Sequence, residues 1–167
     1  MIVGLIGLIG SGKGTVGDML IDEGFQHESF ANTLKDATAS IFGWDRAMLE
    51  GDTDVSRAKR EEVDTWWQER LNIPDFTPRL ALQLLGTDLF RNQFHQDIWI
   101  LSLEKRLREI QNDIVVTDAR FPNEVNMIRR AGGKVVRVKR GEDPDWFDLA
   151  IHNPDAMQHA HPGIHAS

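Results

Sequence analysis

The residues with the clearest chemical meaning form a glycine-rich stretch near the start of the chain. Residues 7–15 read Gly-Leu-Ile-Gly-Ser-Gly-Lys-Gly-Thr and fit the G-x-x-x-x-G-K pattern of phosphate-binding loops. Glycines let backbone N–H groups converge on phosphate oxygens, and a helix that follows adds the positive end of its dipole. Lys13 would bridge the β- and γ-phosphates. The predicted nucleotide-binding residues of the loop are Gly10, Ser11, Gly12, Lys13, Gly14 and Thr15.

The residue after the lysine departs from most loops of this kind. They place a Ser or Thr there to bind Mg²⁺, whereas this chain has Gly14 and carries its hydroxyl one position later, at Thr15. We therefore predict no direct side-chain ligand for a metal ion. Any contribution of Thr15 to Mg²⁺ is expected to pass through water.

The same stretch contains a second pattern, because residues 12–17 match the dinucleotide fingerprint G-x-G-x-x-G. The first glycine of that fingerprint directly follows a strand, whereas Gly12 stands six residues after Ile6. A dinucleotide fold also places an acidic residue about 20 positions further on, and Glu28 is a poor candidate for it. These departures disfavour a dinucleotide site.

A second set of chemically meaningful residues follows the apolar run 113–117. Asp118 and Arg120 come directly after this run, and ligands of open α/β sheets bind at the carboxyl ends of strands. We expect both side chains to face the same crevice as the glycine-rich loop, provided that the two strands are neighbours. In the alternative interpretation, Asp118 caps the next helix and Arg120 pairs with Glu124.

A third set lies within residues 77–88. Arg79 and Gln83 are four positions apart and share one helix face. Gly86 and Thr87 interrupt the helix at a point where backbone could approach a ligand. The alternative interpretation is an amphipathic helix with a solvated face.

The elements that must position these residues alternate along the chain. Strands are predicted at 2–6, 25–30, 113–118 and 134–139. Helices are predicted from the loop to Gly24 and at 32–42, 56–71, 78–92, 97–110 and 122–131. This alternation predicts an α/β domain with a largely parallel sheet.

We expect a single domain over residues 1–167. The charged stretch 44–77 breaks the alternation and is expected to be an insertion, and the segment 141–167, rich in His and Pro, is expected to be irregular. Four of the six histidines lie between 152 and 165. A metal site there is disfavoured, because no regular element would fix the ligand geometry.

Composition excludes several classes of function. Lys and Arg number 19 against 26 Asp and Glu, for a net charge of −7, so we expect no surface for a nucleic-acid polymer or an anionic membrane. Cysteine is absent, which excludes disulfides and a cysteine nucleophile. No window approaches the roughly 18 apolar residues of a membrane span, and a cytoplasmic location is expected.

Taken together, these motifs resemble those of the phage-type deoxynucleoside monophosphate kinases, a branch of the P-loop nucleotide kinases. The resemblance covers residues 1–140, and its most specific part is Leu-Gly-Thr-Asp at 85–88 followed by Asp-x-Arg-x-x-x-Glu at 118–124. It implies an α/β fold of the P-loop NTPase type with three layers. It also implies ATP as donor, Mg²⁺, a deoxynucleoside monophosphate as acceptor, and the host cytoplasm if the chain is phage-encoded. The residues that it places around the acceptor are Leu34, Lys35, Arg79, Gln83, Gly86, Thr87, Trp99, Asp118 and Arg120.

This interpretation assigns a role to each charged residue of the site. The expected catalytic residues are Lys13, Arg79, Asp118 and Arg120. Arg79 and Lys35 would hold the acceptor phosphate, while Arg120 and Arg140 would neutralise the transferring group, Arg140 also contacting ATP. Asp118 would orient water on Mg²⁺ or the acceptor sugar. Two alternatives stay open, namely a P-loop kinase for another small acceptor and a nucleotide-dependent regulatory module, although Gly14 disfavours the second.

The stretch 44–77 would then be a helical acceptor-binding insertion. Its helix carries Arg57, Lys59 and Arg60 and is expected to close over the acceptor, whereas the alternative is a solvated helix in which Arg57 pairs with Glu61. The helical spacing of Trp67 with its apolar neighbours places Trp67 in the core. Members of the family usually add a last strand and helix, which we expect this chain to lack, and association of two copies stays open.

Overall fold

The computed structural model describes residues 1–8 and 10–142 of the 167-residue chain. Within these residues the strands are β1 (Ile2–Ile6), β2 (Gln26–Glu28), β3 (Ile114–Val116) and β4 (Lys134–Arg137). The α-helices are α1 (Lys13–Asp22), α2 (Asn32–Phe42), α3 (Asp54–Glu61), α4 (Thr65–Leu71), α5 (Pro78–Gln83), α6 (Ile98–Leu107) and α7 (Pro122–Arg130). A 3₁₀ turn spans Met48–Glu50 and a π-helix spans Leu84–Phe94.

The chain divides into two compact units. The first comprises Met1–Phe30 and the chain from Ile100 onward, and it contains the strands. The second comprises Ala31–Trp99 and contains α2 to α5, the 3₁₀ turn and the π-helix. Most of the predicted irregular segment 141–167, with the four late histidines, lies outside the described residues.

The sheet of the first unit is parallel throughout its described strands, in the order β2-β3-β1-β4. Val3 of β1 lies opposite Val115 of β3 and Lys134 of β4. The condition that strands 2–6 and 113–118 are neighbours is therefore met. Because parallel strands end at one edge, the glycine-rich loop after β1 and Asp118 after β3 lie at the same edge of the sheet.

Helices cover both faces of this sheet. Side chains alternate along the strands, so Val3, Leu5 and Val115 face α1, where Val16 and Leu20 pack against them. The opposite face is formed by Ile6, Ile114 and Val116 with buried residues of α6 and α7, including Leu103, Val125 and Ile128. Burial on both faces explains the nearly continuous apolar strands. The predicted α/β, three-layer fold is confirmed.

One predicted helix is wrong in its extent. Residues 56–71 form parts of two helices, α3 and α4, because the chain turns to an extended conformation at Glu62. Asp64 then begins α4, and its carboxylate accepts a hydrogen bond from the backbone N–H of Trp67 at 3.1 Å. An Asp at the N-cap satisfies a backbone donor that the helix itself leaves unpaired, which favours a new start at this position.

The predicted helix 78–92 also changes character along its length. It starts as expected, with the Thr77 hydroxyl accepting from the N–H of Leu80 at 3.1 Å and Pro78 at the first helical position. After Gln83 the chain continues as a π-helix. Because this π-helix runs through Gly86 and Thr87, the predicted interruption of the helix at these residues is wrong. Segments with π-helical hydrogen bonding occur often at functional sites.

An aromatic cluster forms part of the core of the second unit. Phe42 stacks on Trp44 with ring centroids 4.5 Å apart, and it meets Trp67 edge-on at 5.0 Å. The indole N–H of Trp67 donates to the carbonyl oxygen of Phe42 at 3.0 Å, which satisfies its one polar group. Trp67 therefore packs in this cluster and is partly buried, so its predicted core position is met in part, whereas Trp66 is 51% exposed.

Candidate active site

The glycine-rich loop connects the end of β1 to the start of α1, as its sequence predicts. Gly7 has a φ of 147°, and a Cβ at this position would lie 2.3 Å from the carbonyl oxygen of Val138. Gly12 caps α1 in a left-handed conformation and supplies no side-chain cap. The first N–H groups of a helix have no acceptor within the helix itself. The loop therefore presents backbone donors to an anion at the N-terminus of α1.

Lys13 folds back onto this loop. Its ammonium group donates to the carbonyl oxygens of Gly7 at 2.7 Å and Leu8 at 2.9 Å. Burial lowers the pKa of Lys13 from its ordinary value, and the positive charge of Arg120 lowers it further. Both effects penalise the charged form, so an anion beside Lys13 would remove an unfavourable electrostatic term.

A hydroxyl and further cations adjoin the loop. The Ser11 Oγ is buried and has no hydrogen-bond partner among the described residues. A pocket at this point is lined by Leu8, Gly10, Ser11, Arg137, Val138, Lys139, Arg140 and Glu142. Arg140 thus lines the same pocket as Gly10 and Ser11, two of the predicted ATP-binding residues. Two others, Gly14 and Thr15, are exposed. This donor set fits a polyphosphate.

Asp118 lies at the carboxyl end of β3 and ties two segments together. Its carboxylate accepts from the Ser29 hydroxyl at 2.7 Å and from the backbone N–H of Phe30 at 3.0 Å. The buried carboxylate of Glu124 accepts from the backbone N–H groups of Arg120 at 2.7 Å and Phe121 at 3.0 Å, and so secures the start of α7. The two acids fix the backbone on either side of Arg120.

The other predicted acceptor residues belong to the second unit, where Lys35 is held by a carboxylate. The Lys35 ammonium contacts Glu50 at 2.5 Å, and Arg46 pairs with the same carboxyl group. Burial alone would raise the pKa of Glu50, but hydrogen bonds and charge from Lys35 and Arg46 hold it below its ordinary value. A positively charged group on α2 is therefore fixed against the 3₁₀ turn.

Arg79 forms an exposed ion pair with Glu61 at 2.9 Å. The alternative interpretation, in which Arg57 pairs with Glu61, is therefore wrong in its pairing, and Arg57 instead contacts Asp54 at 2.6 Å. The physical reason is the packing of α5 against α3, which places Arg79 beside the last residue of α3. These two ion pairs hold the guanidinium groups of Arg57 and Arg79 at the surface of the second unit.

Two predicted acceptor residues, Leu34 and Trp99, meet at a third, Gly86. A Cβ at Gly86 would lie 2.6 Å from Cδ2 of Leu34, so the π-helix and α2 approach closely at this point. The indole N–H of Trp99 donates to the Gly86 carbonyl at 2.9 Å, and Trp99 is 5% exposed. Gln83 and Thr87 are exposed on the same stretch. The structure thus brings together Leu34, Gly86 and Trp99.

Sequence reasoning missed the partners that hold these groups. Glu50 is 15 residues from Lys35, and Ser29 is 89 residues from Asp118. No periodic pattern links positions so far apart. The nearest available signal was the acidic character of the stretch 44–77, which does not identify a pair. Within residues 1–8 and 10–142, no cluster of three or more candidate metal ligands occurs.

Comparisons of the sequence with known proteins identify similarity to one family. Residues 46–152 match the sequence model of the family described as deoxynucleotide monophosphate kinase. A protein of Acanthamoeba polyphaga mimivirus, whose name assigns it provisionally to the deoxynucleotide monophosphate kinases, is 31% identical over 153 residues. That alignment covers 84% of this chain and 74% of the relative.

A second relative matches a shorter stretch more strongly. The deoxynucleoside-5′-monophosphate kinase of Escherichia phage T5 is 44% identical over 54 residues. The aligned stretch is 32% of this chain and 22% of the phage protein.

In the described part of the chain, no helix combines the length and the apolar character that crossing a membrane requires.

Proposed function

The chain belongs to the deoxynucleotide monophosphate kinase family, and we propose that it transfers the γ-phosphoryl group of ATP to the 5′-phosphate of a deoxynucleoside monophosphate. It is a phosphotransferase with nucleotide substrates. The observation that carries the choice of donor is the loop between β1 and α1, where Lys13 and the buried Ser11 hydroxyl lie beside glycine backbone.

The first unit binds the donor in this proposal. Lys13 exchanges its two carbonyl contacts for phosphate oxygens, and Ser11 donates its hydroxyl hydrogen to another. An anion here also relieves the electrostatic repulsion between Lys13 and Arg120. Arg140, at the pocket beside the loop, contacts the donor, and Arg120 neutralises charge on the transferring group.

Mg²⁺ is expected to contact the protein's side chains through bound water molecules rather than directly. Thr15 is exposed one residue after the usual position of the metal-binding hydroxyl, and both carboxylate oxygens of Asp118 already accept hydrogen bonds. When bound, Mg²⁺ would neutralise charge on the donor phosphates. Asp118 and Thr15 would orient its water shell, and Asp118 is well placed for this because Ser29 and Phe30 fix its orientation.

The second unit supplies cations for the acceptor phosphate. Lys35 pairs with the carboxylate of Glu50, and Arg79 pairs with the carboxylate of Glu61. A phosphate group also presents anionic oxygens and carries more negative charge than a carboxylate. We expect the acceptor phosphate to compete with these carboxylates for both cations. Leu34, Gly86 and Trp99 then form an apolar, closely packed surface for the nucleoside, with Gln83 and Thr87 beside it.

These residues suffice for the reaction without a general base. The acceptor is a phosphate oxygen that is already anionic at neutral pH, so no proton must be removed before attack. Phosphoryl transfer passes through a loose transition state in which charge lies on the equatorial oxygens. Positioning the two substrates and neutralising that charge account for most of the catalysis.

The decisive experiment measures ADP release from ATP with each deoxynucleoside and ribonucleoside monophosphate and without any acceptor. We expect at least one deoxynucleoside monophosphate to raise ADP release well above the acceptor-free rate, with the matching diphosphate as second product. A rate that no monophosphate increases would contradict the proposal. A preference for ribonucleotides would contradict the assigned sugar while leaving the reaction type intact.

A further inference from the structure

One guanidinium of the second unit differs from its neighbours in the way it is bonded. Arg60 lies in the last turn of α3, and its Nε is buried without a hydrogen-bond partner among the described residues. Its Nη1 reaches the carbonyl of Leu49 at 3.5 Å, which is at the outer limit for a hydrogen bond. Most of the five N–H donors of this side chain therefore make no hydrogen bond within the described protein.

Four neighbouring cations are paired with carboxylates. These pairs are Lys35 and Arg46 with Glu50, Arg57 with Asp54, and Arg79 with Glu61. Arg60 forms no salt bridge within residues 31–99, all of which are described. The exposed Lys59 forms none there either, but Arg60 is partly buried, so water compensates less of its charge.

The surroundings of Arg60 oppose its charge. Burial lowers the pKa of Arg60, and the positive charges of Arg79 and Arg57 add to this effect, against the opposite influence of Glu61 and Glu50. An arginine does not lose its proton in a protein. The guanidinium therefore stays charged in an unfavourable field, which a bound anion would relieve.

The chain provides a fitted place for this side chain. Gly51 has a φ of 65°, and a Cβ there would lie 2.1 Å from Cζ of Arg60. The guanidinium thus rests against the bare backbone of Gly51, the residue that follows Glu50. Because Glu50 holds Lys35 at 2.5 Å, the position of Arg60 is tied to the part of the unit that carries a proposed acceptor-binding cation.

We propose that Arg60 binds the 5′-phosphate of the acceptor nucleotide, an assignment that rests on the proposed function. A guanidinium offers a planar pair of donors that matches two phosphate oxygens. Arg79 reaches the same end of α3 through Glu61, so the two arginines flank one region of the unit. The acceptor phosphate then takes the place of the carboxylate partner that Arg60 does not have within residues 31–99.

The test compares Arg60→Gln with Arg60→Lys and with Arg108→Gln, the same substitution at an exposed arginine directly after α6, outside the stretch 44–77. Calorimetry gives the Kd of each variant for the four deoxynucleoside monophosphates and for ATP, and thermal unfolding without ligand gives its Tm. We expect Arg60→Gln to weaken monophosphate binding about tenfold to a hundredfold, the usual loss for a hydrogen-bonded ion pair. ATP affinity and Tm should stay close to those of the unmodified chain.

The two variants at position 60 separate binding from structure. Arg60→Lys keeps the charge but loses the planar pair of donors, so its monophosphate affinity should lie between those of Arg60→Gln and the unmodified chain. The affinity of Arg108→Gln should stay within about twofold of the unmodified chain. Unchanged monophosphate affinity in Arg60→Gln would overturn the assignment. So would an equal loss of affinity for ATP and the monophosphate together with a lower Tm, because that pattern indicates general damage.

Failure of the proposed function gives a different result. An unmodified chain that binds a monophosphate through Arg60 but transfers no phosphoryl group would overturn the kinase proposal and support the assignment of Arg60. Full kinase activity with an Arg60-independent Kd would overturn the assignment alone. An unmodified chain that binds no deoxynucleoside monophosphate would overturn both.

Discussion

The hydroxyl of Ser29 donates a 2.7 Å hydrogen bond to the carboxylate of Asp118, across 89 residues of sequence. This contact joins the segment after β2 to the carboxyl end of β3, next to the strand that precedes the glycine-rich loop. It gives Asp118 a structural task in addition to the one proposed for it in the reaction. The two tasks make different demands on the side chain, so substitutions can separate them.

Replacing Asp118 with Ala should lower the free energy of unfolding by about 1–3 kcal/mol, because it removes the carboxylate that accepts hydrogen bonds from the buried groups at Ser29 and Phe30. Ser29→Ala, which removes one donor and keeps the acid, should cost about 0.5–1.5 kcal/mol. Urea unfolding and kcat are measured for both. We expect kcat to fall much further in Asp118→Ala than in Ser29→Ala, and parallel falls would reduce Asp118 to a structural residue.

Replacing Lys13 with Ala should reduce kcat about 10²–10³-fold, the usual loss for one preorganised donor to a transition-state oxygen. The Tm should change little, because burial and Arg120 already penalise the charged ammonium in the folded chain. Lys105→Ala removes an exposed lysine from an ion pair with Glu109 and serves as the control. Turnover near that of the control would show that the loop does not hold the donor phosphates.

Replacing Arg79 with Ala should raise the KM for the monophosphate or lower kcat by about tenfold or more, with the KM for ATP nearly unchanged. Its ion pair with Glu61 is more than half exposed at both ends, so the loss of stability should stay below about 1 kcal/mol. Arg108→Ala removes a similar exposed arginine, paired with Glu104. Kinetic constants equal to those of this control would refute the role of Arg79.

Replacing Glu50 with Gln should remove a part of the stability that depends on pH. The folded state holds the pKa of Glu50 below its ordinary value, so this carboxylate stabilises the fold above the unfolded-state pKa of about 4.3 and loses that effect as the pH falls through the folded-state pKa. The difference in Tm between the unmodified chain and the variant should therefore be largest near neutral pH and shrink in acid.

Thermal unfolding of Glu50→Gln between about pH 7 and pH 3 measures this difference. Glu69→Gln, at an exposed position of the same unit, controls for the loss of a surface carboxylate. A difference that stays constant across the range would mean that Lys35 and Arg46 do not stabilise the charged form of Glu50.

Much of the fold could be predicted because its signals are local. The glycine-rich loop lies within nine consecutive residues. The two central strands, β1 and β3, are short apolar runs that can be recognised without reference to other parts of the chain. Helix boundaries were predicted where one side chain marks them, as at Thr77 and Pro78. They were wrong at 62–64, where the cap at Asp64 outweighed the apolar periodicity that runs through the break.

The sequence by itself determined that this chain has a parallel α/β sheet and a glycine-rich loop between its first strand and first helix. Only the tertiary structure decided which acid holds which cation: Glu50 holds Lys35, Glu61 holds Arg79, and Arg60 is left resting on Gly51. The physical reason is that backbone patterns depend on neighbours along the chain, whereas an ion pair depends on how separate elements pack. Charge partners therefore become visible only when the helices are placed.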